Sequence, residues 1–401
     1  MAWALAALLA AALAAPRVEL PSTGHALDAR SAGPPSSQPP SDTGRAPRLL
    51  TVVLLEREAL PAVRVSGAES VTCDGREMSP SASPHVRWTR GAVEVSPGPG
   101  VSHRCKNVLL KAAQPAPGGE CGARAALRLR AGPRVRCHEG TLRIQAGPRA
   151  LRFLLQLPLE DYVASVVASE AGDAPPEAQA AQAVVTRTWA LAHAGRHGEA
   201  DACDLTHCQL YRGERAEEAD RAARRTAGRV LSSDGALLPA FFHAACGGHT
   251  ASARDVFGEA GPAGVPDVGP SGKAWCSEPG WGATLGRSRL ARALGLQDRG
   301  GVQVLRRSAD GRAAEVEAFG QRMAGPLFVA RVGRALGYGT LRSARFRVEA
   351  DGAQMRFEGD GRGHGVGYCQ AGGAARARAG QGWEALLRAY FPDARAISPP
   401  P

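Results

Sequence analysis

Glu170 is the residue best placed for acid–base chemistry. It closes the run from Leu157 to Glu170, LPLEDYVASVVASE, where small and apolar residues surround one carboxylate. A carboxylate in an apolar niche stays protonated at unusually high pH, as a general acid must. The bland alternative is a residue that ends a helix or faces solvent. A second reactive set is His197, Cys203, His207 and Cys208. Thiols and imidazoles so close together suit zinc, and Cys203 and Cys208 are spaced C-x4-C, at the wide end of the usual range. An exported chain would equally form a Cys203–Cys208 disulfide. Further on come His243, Cys246, Gly247, Gly248 and His249, then GRGHGVGYCQ with His364 and Gln370. The glycines let backbone approach a ligand closely. We expect both stretches to line a groove, with Cys246 bridged to Cys276. The alternatives are a turn with incidental histidines and a buried His364 bonded to backbone. A second metal site at His243–His249 is the weaker reading there. The Gly-rich spacing is not that of a dinucleotide fingerprint, and no helix is expected to open there.

These residues need elements to hold them. Apolar residues at helical spacing over 159–168 predict a helix leading to Glu170. Pro175-Pro176 then starts a second, over about 177–194, with proline in its favoured first turn. Arg187 lies on it, either as a donor to ligand oxygens or on a solvated face. Short helices are expected at 220–228, 289–294 and 383–390. Strands are expected within 49–65, 108–110, 126–129, 141–144, 230–244, 302–318 and 345–358. The expected class is α+β, with helices and mixed β-structure around a long substrate cleft and a β-rich N-terminal part.

The division expected is an apolar signal peptide at 1–15, a Pro/Ser-rich tether at 16–48, a β-rich part at 49–148 and a core at 149–396. The first segment is too short to span a bilayer comfortably. Export to the cell envelope or beyond follows, with membrane attachment only if that segment is uncleaved. Nine cysteines then imply disulfides; Cys73, Cys105, Cys121 and Cys137 can supply two in the β-rich part, with pairing open. Net charge is +11, yet only three of the 49 basic residues are lysine (Lys106, Lys111, Lys273). Arginine alongside abundant Ala, Gly and Pro reads as mutational bias. No basic block interleaved with aromatics appears, so nucleic acid is not an expected partner.

The ordered blocks LPLEDY…SE, PPEAQAAQAVVTRTWAL, CDLTHCQLYRG, FFHAACGGHT and GRGHGVGYCQAGGA resemble the SpoIID/LytB domain family. That family includes the stage II sporulation lytic transglycosylases and the amidase enhancers. The resemblance covers about 49–396. It implies cleavage of peptidoglycan glycan strands, with Glu170 as the catalytic acid. The acid protonates the glycosidic oxygen and the muramic 6-hydroxyl attacks its own anomeric carbon, leaving a 1,6-anhydro end. One carboxylate suffices, whereas glycosidases usually need two. The family often has Met-Pro after this glutamate, where this chain has Ala171-Gly172.

By position the resemblance maps a zinc set onto His197, Cys203 and Cys208. Three ligands would leave a position open. Substrate contacts are expected from Arg187, His207, Gln209 and Tyr211, and downstream from His243, Gly247, Gly248, His364 and Gln370. A non-catalytic alternative is a wall-binding module that raises the activity of a partner amidase. A third is hydrolysis by water held on zinc.

Overall fold

The computed structural model describes residues 47–78, 83–98, 100–114, 121 and 127–398. The expected signal peptide and nearly all of the tether lie outside them. The class is α+β. The chain forms two compact units. The first holds the described residues up to Gly172 plus His193–Ala227; the second holds Asp173–Ala192 and the residues from Gly228 on. The strand Leu151–Pro158 sits inside the first unit's larger sheet, antiparallel to Leu49–Leu54 on one side and Thr141–Ala146 on the other.

That sheet has seven strands, extended by Asn107–Ala112, Ala68–Cys73 and Arg76–Met78 at one end and by Ala202–Cys203, parallel to Leu49–Leu54, at the other. A six-stranded sheet runs Arg134–His138, Leu127–Ala131, Ala62–Ser66, His85–Thr89, Ala92–Gly98, Val101–Cys105. Alternation sets its buried face: Val63 and Val65 are buried and Arg64 is exposed. Disulfides Cys73–Cys105 and Cys121–Cys137 close this unit, and the first ties one sheet to the other.

The Glu170 helix, Leu159–Ala171, leaves directly from the strand Leu151–Pro158. Glu160 and Asp161 in its first turn complement the helix dipole. Tyr162, Val163, Val166 and Val167 form its buried face, and it packs on the helix Glu217–Arg225.

In the second unit the helix Pro176–Ala192 packs on the helices Gln370–Arg378 and Trp383–Tyr390 and on the strand Val230–Ser233. Ala181, Val184, Val185, Leu386, Leu387 and Tyr390 share that core. A second core, around Phe328, Phe346 and Phe357, lies among two three-stranded sheets. A two-residue parallel pair, Phe242–His243 with Tyr368–Cys369, joins distant parts of the chain. The helices Gly325–Leu336 and Gln370–Arg378 were not expected. Among the described residues no helix is long and apolar enough to cross a membrane.

Candidate functional site

Glu170 stands in the last turn of its helix, half-buried. That turn has no basic residue, so an acid occupies the end where the dipole disfavours one. Oε1 accepts the backbone N–H of Leu210 at 3.0 Å. The preceding residue, Gln209, is 1% exposed, and its Oε1 accepts the hydroxyl of buried Tyr162 at 3.1 Å. Tyr211 stacks between Tyr162 and His138. Gln209 and Tyr211 thus lie in the core; they shape the wall behind Glu170 and offer almost no surface to a substrate. Burial raises the proton affinity of both tyrosines, so they stay neutral.

Two fully buried carboxylates of this unit are matched to arginines. Asp204 pairs with Arg136 at 2.7 Å and Asp220 with Arg215 at 2.5 Å. Arg215 also holds Asp161 and Glu139.

The thiol–imidazole set assembles in the same unit, and its segment leads into Gln209 and Leu210. Cys203 and Cys208 are free thiols, their sulfurs 3.4 Å apart, so no disulfide joins them. His197 Nε2 lies 3.1 Å from Cys208 Sγ, and His207 Nε2 3.4 Å from Cys203 Sγ. One donor atom from each of the four residues falls within 4.8 Å of the others. Zinc–sulfur bonds of about 2.3 Å place two thiolates about 3.8 Å apart in a tetrahedron, so this donor set fits zinc. His207 joins the set as a fourth donor. The Cys203 thiol donates to Cys208, which lowers the Cys208 thiol; Cys203 itself is pushed up to about 12 by that bond and by burial. The bond to Cys203 raises His207.

The remaining expected contacts belong to the second unit. Arg187 is 1% exposed and donates to the Arg229 carbonyl at 3.0 Å, so it does not lie on a solvated face. Gln370 Nε2 donates to Gln182 Oε1 at 3.4 Å. His364 Nδ1 accepts from the Val366 N–H at 3.0 Å, and its ring also bonds the Phe242 backbone. Burial first, then Arg312, lowers His364 to about 4, so it is neutral at pH 7. His243 is 3% exposed. Gly247 and Gly248 adopt φ of +73° and +99°, a conformation that favours glycine. They turn the chain around Cys246, which is a free thiol, as is Cys276; the expected bridge between them is absent. The same unit has a pocket of about 680 Å³ lined by Arg307, Arg345 and Arg347, and none of the expected site residues lines it.

Sequence reasoning missed the Leu210 N–H, because a backbone donor leaves no mark in residue types. It also missed Asp267, a fully buried carboxylate held by Arg376 and Tyr390.

Residues 149–232 match the sequence model of a family described as Stage II sporulation protein, SpoIID. Over that stretch the chain is similar to the SpoIID/LytB family. The SpoIID match takes in Glu170, Arg187 and the whole thiol–imidazole set. An uncharacterised protein of Brachyspira hyodysenteriae is 28% identical over 250 residues, covering 59% of this chain and 66% of that protein. A Bacillus subtilis protein named amidase enhancer is 24% identical over 276 residues, covering 55% of this chain and 38% of its own length. The chain thus spans less than two thirds of each relative.

Proposed function

We propose that this protein is exported and cleaves peptidoglycan glycan strands as a lytic transglycosylase. The observation that carries the reading is Glu170 itself: a half-buried carboxylate at a helix end whose Oε1 accepts the Leu210 N–H at 3.0 Å. In this scheme one carboxyl group serves as both acid and base, where the glycosidase scheme uses two. Protonated Glu170 gives its proton to the oxygen between the muramic and glucosamine sugars, and the bond from that oxygen to the muramic anomeric carbon breaks. The muramic 6-hydroxyl bonds to the same carbon and returns its proton to the carboxylate. No water is consumed. The two disulfides support an oxidising compartment.

Zinc is the proposed cofactor, held by Cys203 and Cys208 with His197 and His207. Bound there, it would supply a rigid cross-link and Lewis acidity. The segment it fixes runs on into Leu210, so these four residues hold the donor that aims Glu170.

Digestion in isotopically labelled water tests the reaction class. Transglycosylation predicts unlabelled anhydro ends, and labelled reducing ends would overturn it. A second reading draws on the relative named amidase enhancer: the chain binds wall glycan without cutting it and stimulates a separate amidase. Intact strands together with faster amidase turnover would favour that reading.

A further inference from the structure

Three buried thiols and one buried imidazole meet in the second unit, far along the chain from the first thiol–imidazole set. Cys246, Cys276 and Cys369 are at most 4% exposed, and all are free thiols. One donor atom each from His243, Cys246 and Cys369 lies within 4.8 Å of the others. The parallel pair explains part of this: His243 and Cys369 are direct register partners, so both side chains leave the same face. Cys276 interacts with both Cys246 and Cys369 from a separate loop.

We infer that His243, Cys246, Cys276 and Cys369 form a structural zinc site. Each sulfur is dressed by backbone N–H groups. Gly248 donates to Cys246 at 3.3 Å; Cys246 and Gly372 donate to Cys369 at 3.2 and 3.3 Å; Gly247 and Glu278 donate to Cys276. Such donors stabilise thiolates, the form that binds metal. His243 completes the pattern. Its Nδ1 lies 3.1 Å from the Val366 carbonyl, to which it donates, and its Nε2 is buried with no hydrogen-bond partner. A bond on one ring nitrogen that fixes the tautomer and leaves the other lone pair available is how metal-ligating histidines are held. An imidazole lone pair left alone in the interior is a cost, and a cation removes it.

Three thiolates and one neutral imidazole are a closed structural set for zinc, with no open position for substrate. With zinc the centre carries one negative charge. Asp267 Oδ2 accepts from the Cys246 thiol at 3.3 Å, and two bonds from Arg376 to its Oδ1, at 3.1 and 3.2 Å, offset the carboxylate's charge. Arg312 donates to the Cys246 carbonyl at 2.9 Å. The purpose is local. A two-residue strand pair is too small to hold itself, and zinc would fasten three distant segments across it. Binding displaces the thiol protons to solvent.

The test uses the mature full-length chain with Cys203→Ser and Cys208→Ser, which removes the first set's thiols, purified from zinc-supplemented cells. Native mass spectrometry is expected to show about one zinc per chain, lost on adding Cys276→Ser and Cys369→Ser. In the unaltered chain, zinc is expected to slow alkylation of Cys246, Cys276 and Cys369 about tenfold or more relative to chelator-treated protein. Cobalt(II) in its place should give the charge-transfer and d–d bands of a tetrahedral thiolate site. A metal-free chain with a disulfide among these cysteines overturns the inference. So does one whose thiols alkylate equally fast with and without zinc. The alkylation comparison needs no substitution, so misfolding of a variant leaves it decisive.

Discussion

The backbone N–H of Leu210 donates to Glu170 Oε1 at 3.0 Å, which links a helix end to a loop 40 residues later. That loop is anchored from inside by Gln209, bonded to buried Tyr162, and from the other side by the thiols and imidazoles before it. Glu170 is therefore positioned from behind, by buried Tyr162, Gln209, Cys203 and Cys208 among others, none of which needs to touch substrate.

Gln209→Leu should cost about 1–3 kcal/mol, because it leaves the Tyr162 hydroxyl buried without its acceptor. Adding Tyr162→Phe should recover much of that loss, and denaturant unfolding of the two single variants and the double variant checks it. Activity should fall in Gln209→Leu beyond what unfolding explains, since the Leu210 donor shifts. A strictly additive cycle would contradict the coupling.

Acid should weaken the first unit through His138. This ring is fully buried, both its nitrogens lack partners, and burial lowers it to about 3 from an ordinary 6.5. The folded state therefore binds the proton less readily than the unfolded state. The stabilisation is complete above about pH 6.5 and is lost as pH falls toward about 3; roughly 2 kcal/mol should be gone by about pH 5. His138→Leu should flatten this slope. An unchanged slope, measured by urea unfolding across that range, would rule out His138 as its source.

Reduction should destabilise the first unit selectively. Loop-closure entropy assigns about 4 kcal/mol to Cys73–Cys105 and about 3 kcal/mol to Cys121–Cys137, from separations of 32 and 16 residues. Hydrogen exchange with and without reductant should show faster exchange in the strands Ala68–Cys73 and Val101–Cys105 and little change around Phe346 and Phe357. Uniform acceleration would contradict it.

Chelation should reduce turnover without changing the product. If the set at His197–Cys208 only holds the Leu210 loop, a chelator slows release of anhydro ends but never converts them to reducing ends. Reducing ends that form before chelation and cease after it would point to metal-held water as the nucleophile.

Much of the fold is written in short-range patterns. The helix over 159–171 follows from apolar spacing and acidic first-turn residues, and the helix at 176–192 from its leading prolines. The helix Gln370–Arg378 was hidden by Gly372 and Gly373, which lower helix propensity. Their reason is tertiary: a Cβ on Gly372 would collide with Asp267 and Tyr390, and one on Gly373 with Tyr368. The pairing of the four N-terminal cysteines and the division into units rest on long-range register, which residue types do not encode. At the candidate site, the residue types that do chemistry were legible. Their burial was not: Arg187, Gln209, Tyr211 and His243 read as contacts, and all are 3% exposed or less.

The central claim is that Glu170 is the acid. Stem-peptide-free glycan strands are digested with the mature protein and with Glu170→Gln, and the products are read by mass spectrometry. The account predicts anhydro-muramic ends from the native protein and a loss of about 100-fold or more in the variant. It also predicts unfolding stability in Glu170→Gln unchanged or raised by up to about 1 kcal/mol, since the substitution removes an acid from a helix C-terminus. Equal anhydro product from both proteins would contradict it.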